Sequence, residues 1–141
     1  MSFEIDRRER DGAVILAPRG RLVIGEPVES FRSALEELFN AAHIRVVLDF
    51  RHVNYIDSSA LGCLVVAHTR FTKAGGAMPL FGLNRRTVEL LVITKLATIF
   101  RIAQDEMEAV NLCFPGRGEA NFDILDFVEG QQGRTKEDIK E

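Results

Sequence analysis

Hydrophobic and polar positions alternate along residues 3–10, with Phe3, Ile5 and Arg7 set against Glu4, Asp6 and Arg8. A period of two predicts an edge strand with one solvated face. Asp11-Gly12 is a tight-turn dipeptide, and the apolar run Ala13–Ala17 behind it predicts a buried partner strand, so the chain opens with a β-hairpin. Pro18 and Gly20 are expected to end that strand. The period then changes. From Glu26-Pro27, Val28, Phe31, Leu35 and Leu38 recur at three- and four-residue spacing, which predicts an amphipathic helix to about Ala42. Residues 44–50 are nearly continuous in apolar character and rich in β-branched side chains, the pattern of a central strand covered on both faces. A second helix is predicted over 58–74, with Leu61, Leu64, Val65, His68 and Phe71 on one side and Gly75-Gly76 as its stop. Residues 78–82 read as a short strand, with Pro79 placing it near an end or edge. Asn84 can cap a third helix carrying Val88, Leu91 and Val92, with Lys95 at its far end. Thr98–Ile102 reads as the last strand, and Asp105 to about Leu112 as the last helix.

The order ββαβαβαβα predicts an α/β domain with a mostly parallel sheet and an antiparallel hairpin at its start. With 141 residues there is room for one domain. Charge divides the chain at Pro115-Gly-Arg-Gly118: residues 1–114 are balanced, with 14 basic and 14 acidic side chains, and the net charge of −3 falls on residues 115–141. The expected organisation is therefore a domain over 1–114 and an acidic C-terminal extension over 115–141, partly disordered. Within that extension Phe122-Asp-Ile-Leu-Asp-Phe-Val128 is apolar enough to fold back onto the domain or to mediate a homodimer. No basic field exists to hold a nucleic acid. No apolar run is long enough to span a membrane, and the first ten residues lack the apolar core of a signal peptide. Cys63 and Cys113 lie far apart in apolar stretches and read as reduced, packed thiols, which points to a cytoplasmic protein.

Candidate chemistry gathers where the central strand gives way to the second helix, in Tyr55-Ile-Asp-Ser-Ser-Ala-Leu-Gly62. Three successive polar residues, Asp57, Ser58 and Ser59, stand at a helix start, where free backbone N–H groups and the positive end of the dipole favour an oxygen or an anion. Two readings follow from the residues: a simple helix cap, or an exposed serine placed to receive a phosphate.

The same segment, with Asp-Ser-Ser followed by Leu-Gly after a strand ending in an aspartate and Tyr-Ile, resembles the signature of the STAS family (sulfate transporter and anti-sigma factor antagonist domains). Gly20-Arg-Leu22 resembles the family's Gly-x-Leu turn, Lys73-Ala-Gly-Gly76 its Gly-Gly before the next strand, and Leu91–Leu96 with Ile99-Phe100 its third-helix ending. The likeness runs over about residues 5–112. It implies a STAS-like single domain with a four-to-five-stranded sheet and helices mainly on one face. It also implies an anti-sigma factor antagonist that binds an ATP-dependent anti-sigma serine kinase of the GHKL type and is phosphorylated on Ser58, with a serine phosphatase to reset it. The implied partner surface is Val23, Ile24 and Gly25 with Asp57, Ser58, Ser59, Ala60 and Leu61. Val23 and Ala60 stand where the family pattern commonly has an acid and a glycine.

An enzyme is the rival class. No Gly-x-Ser-x-Gly elbow, phosphate-cradling Gly-rich loop or metal-ligand spacing occurs, so neither a catalytic centre nor a cofactor is expected. His43 closes a helix, His52 lies in the loop before Ser58 and could approach it, and His68 reads as a satisfied core histidine. Nothing in the spacing requires a Ser58–His52–Asp57 set. A scaffold subunit of a larger signalling complex, without turnover at Ser58, is the other alternative. Arg85-Arg86 reads either as a solvated first turn of the third helix or as a basic edge of the partner surface.

Overall fold

The computed structural model describes residues 3–116. Strands β1 (Glu4–Arg10) and β2 (Ala13–Leu22) pair antiparallel about Asp11 and Gly12, both at positive φ (51° and 93°), the geometry that matches the twist of a hairpin. Then follow α1 (Glu26–Asn40), β3 (Val46–Asp49), β4 (Val53–Ile56), α2 (Ser58–Lys73), β5 (Leu80–Phe81), α3 (Arg85–Ile93), β6 (Ile102–Ala103) and α4 (Glu106–Leu112). The sheet has six strands in the order β1-β2-β3-β5-β6, with β4 also pairing β2, and every pairing after the hairpin is parallel.

Two apolar layers form on the two sheet faces because strand side chains alternate. On one face Val14, Leu16, Val46, Leu48 and Leu80 meet α1 through Val28, Phe31, Leu35 and Leu38, α2 through Leu64 and Phe71, and α3 through Leu91. On the other, Ile15, Val47, Phe81 and Ala103 are covered by Ala109, Val110 and Cys113, on and just after α4. Three helices therefore share one face and α4 takes the other. This double cover is why residues 13–17 and 46–50 are buried without interruption. Cys63 and Cys113 are both buried, in different layers.

Differences from the sequence expectation have local causes. Strand β2 continues through Pro18 to Leu22, because it pairs β3 over Val14–Leu16 and β4 over Gly20–Leu22, and Pro18 falls in the gap where no ladder N–H is needed on that side. Gly20 has φ 116° beside a register shift, a bulge that a side chain would resist. Strand β4 adds one strand to the four or five expected. The predicted strand over 98–102 shortens to β6: Lys95 turns left-handed (φ 66°), Leu96–Thr98 form a 3-10 turn, and Phe100 drops into the core. Helix α3 buries Thr87 and Leu91 and leaves Val88 and Val92 exposed, so its inward stripe is narrower than expected. The acidic extension lies outside the described residues, apart from Pro115 and Gly116 at its start.

Candidate functional site

Parallel strands bring their C-terminal ends to one edge of the sheet, and the loops after β2, β4 and β5 collect there. Pairing of Leu22 with Ile56 sets the Val23–Gly25 loop beside Asp57. The Asp57 carboxylate joins the two. Its Oδ1 accepts the Ala60 N–H at 3.0 Å, capping α2, and its Oδ2 accepts the Ile24 N–H at 2.9 Å. Partial burial pushes the Asp57 carboxyl up, but the N–H groups of Ile24, Ala60 and Ser59 outweigh it and hold the group below its ordinary range. Asp57 therefore stands ionised beside Ser58 at neutral pH.

Ser58 is exposed at the first position of α2 and Ser59 is half-buried. Ile24 is 73% exposed, unusual for a large apolar side chain, and Gly25 is exposed at φ 108°. Ala60 and Leu61 are buried in the helix-covered layer. Their side chains fix the first turn of α2 from beneath, and the Ala60 methyl faces the core rather than a partner. The accessible surface is thus Val23, Ile24, Gly25, Ser58 and the outer parts of Asp57 and Ser59.

A basic-aromatic edge adjoins it. The Arg21 guanidinium lies 4.7 Å from the Tyr55 ring centre and that of Arg86 5.5 Å from it. Asn84 caps α3 by accepting the Thr87 N–H at 2.8 Å, and its amide donates to the carbonyls of Val53 (3.5 Å) and Asn54 (3.4 Å), which draws α3 towards β4. Arg85 instead pairs with Glu89 in solvent. Of the two arginines, Arg86 belongs to the site edge and Arg85 to a solvated first turn.

The histidines are dispersed. His52 is exposed in the turn between β3 and β4, where its carbonyl accepts the Gly20 N–H at 2.8 Å, and no hydrogen bond among the described residues joins it to Ser58. His68 packs edge-on against Phe100 (5.3 Å), its Nδ1 is buried without a hydrogen bond, and burial pushes its pKa down. It is a core histidine, but not a satisfied one. Among the described residues no group of three or more His, Cys, Asp or Glu is placed to hold a metal, and no helix is long and apolar enough to cross a membrane.

Two features were not visible in the sequence. A groove of about 430 Å³ runs between α1 and α2 from Ser58 and Ser59 to Arg70 and Phe71, floored by Leu35, Cys63 and Ala67. The isolated signal for it was Val66, an apolar residue that α2 leaves 60% exposed. On the opposite face, the buried Asp49 accepts from Arg51 Nη2 at 2.8 Å, and Glu106 accepts from Arg8 (2.9 Å) and Arg10 (2.8 Å), a network that ties α4 to β1 and β3.

Residues 4–109 match the family model for the STAS domain. Among solved structures, a proposed anti-sigma factor antagonist from Thermotoga maritima is 27% identical, with a TM-score of 0.72 over 77% of this chain and 93% of its own. An anti-sigma factor antagonist from Mycobacterium paratuberculosis is 16% identical, with a TM-score of 0.69 over 79% and 94%. The Bacillus cell fate determinant SpoIIAA in its phosphorylated form is 19% identical, with a TM-score of 0.60 over 79% and 98%. No curated protein sequence matches the chain.

Proposed function

The chain belongs to the STAS domain family, and from that premise we propose that it is a cytoplasmic anti-sigma factor antagonist whose grip on an anti-sigma kinase is released by phosphate on Ser58. The observation that carries the proposal is the exposed Ser58 hydroxyl at the start of α2, flanked by the ionised Asp57 and, across the Asp57–Ile24 hydrogen bond, by the exposed Ile24. In the unmodified protein this patch offers an apolar anchor and small polar groups to a partner. The kinase, a serine kinase of the GHKL type, transfers phosphate from ATP to Ser58, and a serine phosphatase removes it.

Phosphate adds roughly −1.5 to −2 charge beside Asp57. The Asp57 oxygens already take the Ala60 and Ile24 N–H groups, so the new charge meets a carboxylate whose donors are engaged. A loss of about 3 kcal/mol at the interface lowers affinity more than a hundredfold, enough to change partners. Incubation with the cognate kinase and ATP, followed by intact mass and peptide mapping, should place one phosphate on Ser58, and Ser58→Asp should bind the kinase at least a hundredfold more weakly. Absence of phosphate from Ser58, or equal binding of wild type and Ser58→Asp, overturns the switch. Partner binding with Ser58 unmodified throughout would instead identify a scaffold subunit.

A further inference from the structure

Strand alternation divides the residues that lead to Ser58 between two faces. Leu22 and Ile56, paired in register, turn into the helix-covered layer, so Arg21 and Tyr55, the pair before them, turn the other way. Helix α3 is drawn against β4 by the Asn84 amide, and its first turn carries Arg86 to the Tyr55 ring. Arg21 and Arg86 therefore meet on one ring, both inside the roughly 6 Å over which an aromatic face holds a cation, and both are exposed. From Tyr55 to Ser58 the chain spans at most about 11 Å, so this cluster borders the candidate site.

These two arginines lack an acid. Arg8, Arg10, Arg19, Arg32, Arg51 and Arg85 each have a carboxylate within ion-pair distance. Among the described residues no carboxylate stands that close to Arg21 or Arg86, and neither guanidinium makes a hydrogen bond. Asp57 does not fill the role, because its oxygens take the Ala60 and Ile24 N–H groups. Arg70 also rests on a ring, that of Phe39, but alone; among the described residues Tyr55 is the one ring that gathers two cations. Like charges brought together repel, so an anion between them is favoured. A cation held on a ring keeps its N–H groups for a second partner, and a guanidinium offers them in the fork that fits a carboxylate. Tyrosine and arginine are also the side chains that most often anchor protein interfaces.

We infer that Arg21, Tyr55 and Arg86 form a docking edge for carboxylates on the surface of the protein partner that meets Ser58. The inference rests on the reading of Ser58 as partner surface and adds the chemistry of what arrives there. An acidic patch is steered in by the two cations and then held by their N–H groups. The edge also gives a phosphate on Ser58 a second target, since the partner's carboxylates lie within the roughly 8–10 Å over which exposed charges still interact.

The test is the association rate of the full chain with the cognate kinase, at low and at physiological salt. The paired variant Arg21→Gln/Arg86→Gln should associate at least about tenfold more slowly at low salt, with the difference shrinking as salt rises. Arg21→Lys/Arg86→Lys keeps both charges and should stay within about threefold of the wild type. Arg85→Gln removes a cation already paired with Glu89 and should associate at the wild-type rate. All these sites are exposed, so the substitutions leave the core untouched. Equal rates for the Gln pair and the wild type overturn the inference. So does an equal loss in the Lys pair or in Arg85→Gln, which assigns the effect to shape or to net charge. Intact mass after addition of ATP reports Ser58 separately. Slow association of the Gln pair, with no phosphate on wild-type Ser58, keeps the edge and removes the switch. Unchanged association of the Gln pair, with Ser58 phosphorylated, removes the edge and keeps the switch. A wild type that does not bind the kinase overturns both.

Discussion

A single carboxylate organises the candidate site. Asp57 receives one N–H from the first turn of α2 and another from the loop after β2, joining positions 33 residues apart in the sequence. Asn and Ala at this position separate the two roles. Asp57→Asn keeps an oxygen for the Ala60 N–H but presents an NH2 group to Ile24, so α2 stays capped while the loop is released. Urea unfolding should show a loss below about 1 kcal/mol, with faster amide exchange at Ile24 and little change at Ala60. Asp57→Ala loses both bonds and should cost about 1–2 kcal/mol. Unchanged exchange at Ile24 in the Asn variant would show that the loop is held by other contacts. Weaker kinase binding by Asp57→Asn, with Ser58 intact, would place the Val23–Gly25 loop in the partner surface.

Elements with a long, regular pattern were legible, and elements defined by a partner were not. Helix α1 announces itself through Val28, Phe31, Leu35 and Leu38, all buried as expected, and Asn84 caps α3 as expected. Strand β4 is not legible in the sequence because its four residues become a strand only against Gly20–Leu22, where the sequence predicts a turn beyond the end of β2. Asp57-Ser58-Ser59 is continuous in sequence and could be seen. The groove could not, because it needs α1 and α2 side by side. Glu106 belongs to the same class: nothing local distinguishes it, yet α4 places it against Arg8 and Arg10 of β1. Hydrogen bonding from Arg8, and then from Arg10, lowers its pKa to about 2 from an ordinary 4.5 against the opposing effect of burial. A depressed folded-state pKa stabilises fully above the unfolded value and is lost as pH falls from about 4.5 towards 2. Glu106→Gln should therefore cost about 1–3 kcal/mol at pH 7, reduced by the partial exposure of both arginines. Paired urea titrations should find that difference shrinking below pH 4.5, and a difference that stays constant down to pH 2 would exclude the ion pairs as its origin.

For the whole molecule, the separation between site and core decides what kind of switch is available. Ser58 is exposed at the sheet edge, while Ala60, Leu61 and Leu64 behind it are buried within a layer that joins three helices to the sheet. Close-packed cores resist graded deformation, so a surface charge can reshape them only by supplying several kcal/mol. At an exposed helix start the dipole returns about 0.3–1 kcal/mol to an added anion. Asp57 opposes it at short range, and the two effects nearly cancel within the monomer. Ser58→Asp should therefore melt within about 5 °C of the wild type, since 1 kcal/mol corresponds to roughly 4–8 °C in a domain of 60–100 residues. Its amide resonances should move only around the β2 and β4 loops and the first turns of α1 and α2. The interface has no such compensation, so the defect in kinase binding should be large at low salt and should narrow as ionic strength rises, because exposed charges are screened over about 8–10 Å near physiological salt. A melting point lowered by 10 °C or more, or shifts spreading into α4 on the far face, would mean that phosphate acts by loosening the fold. A binding defect insensitive to salt would mean that Ser58 is a steric contact and that charge is incidental to the switch.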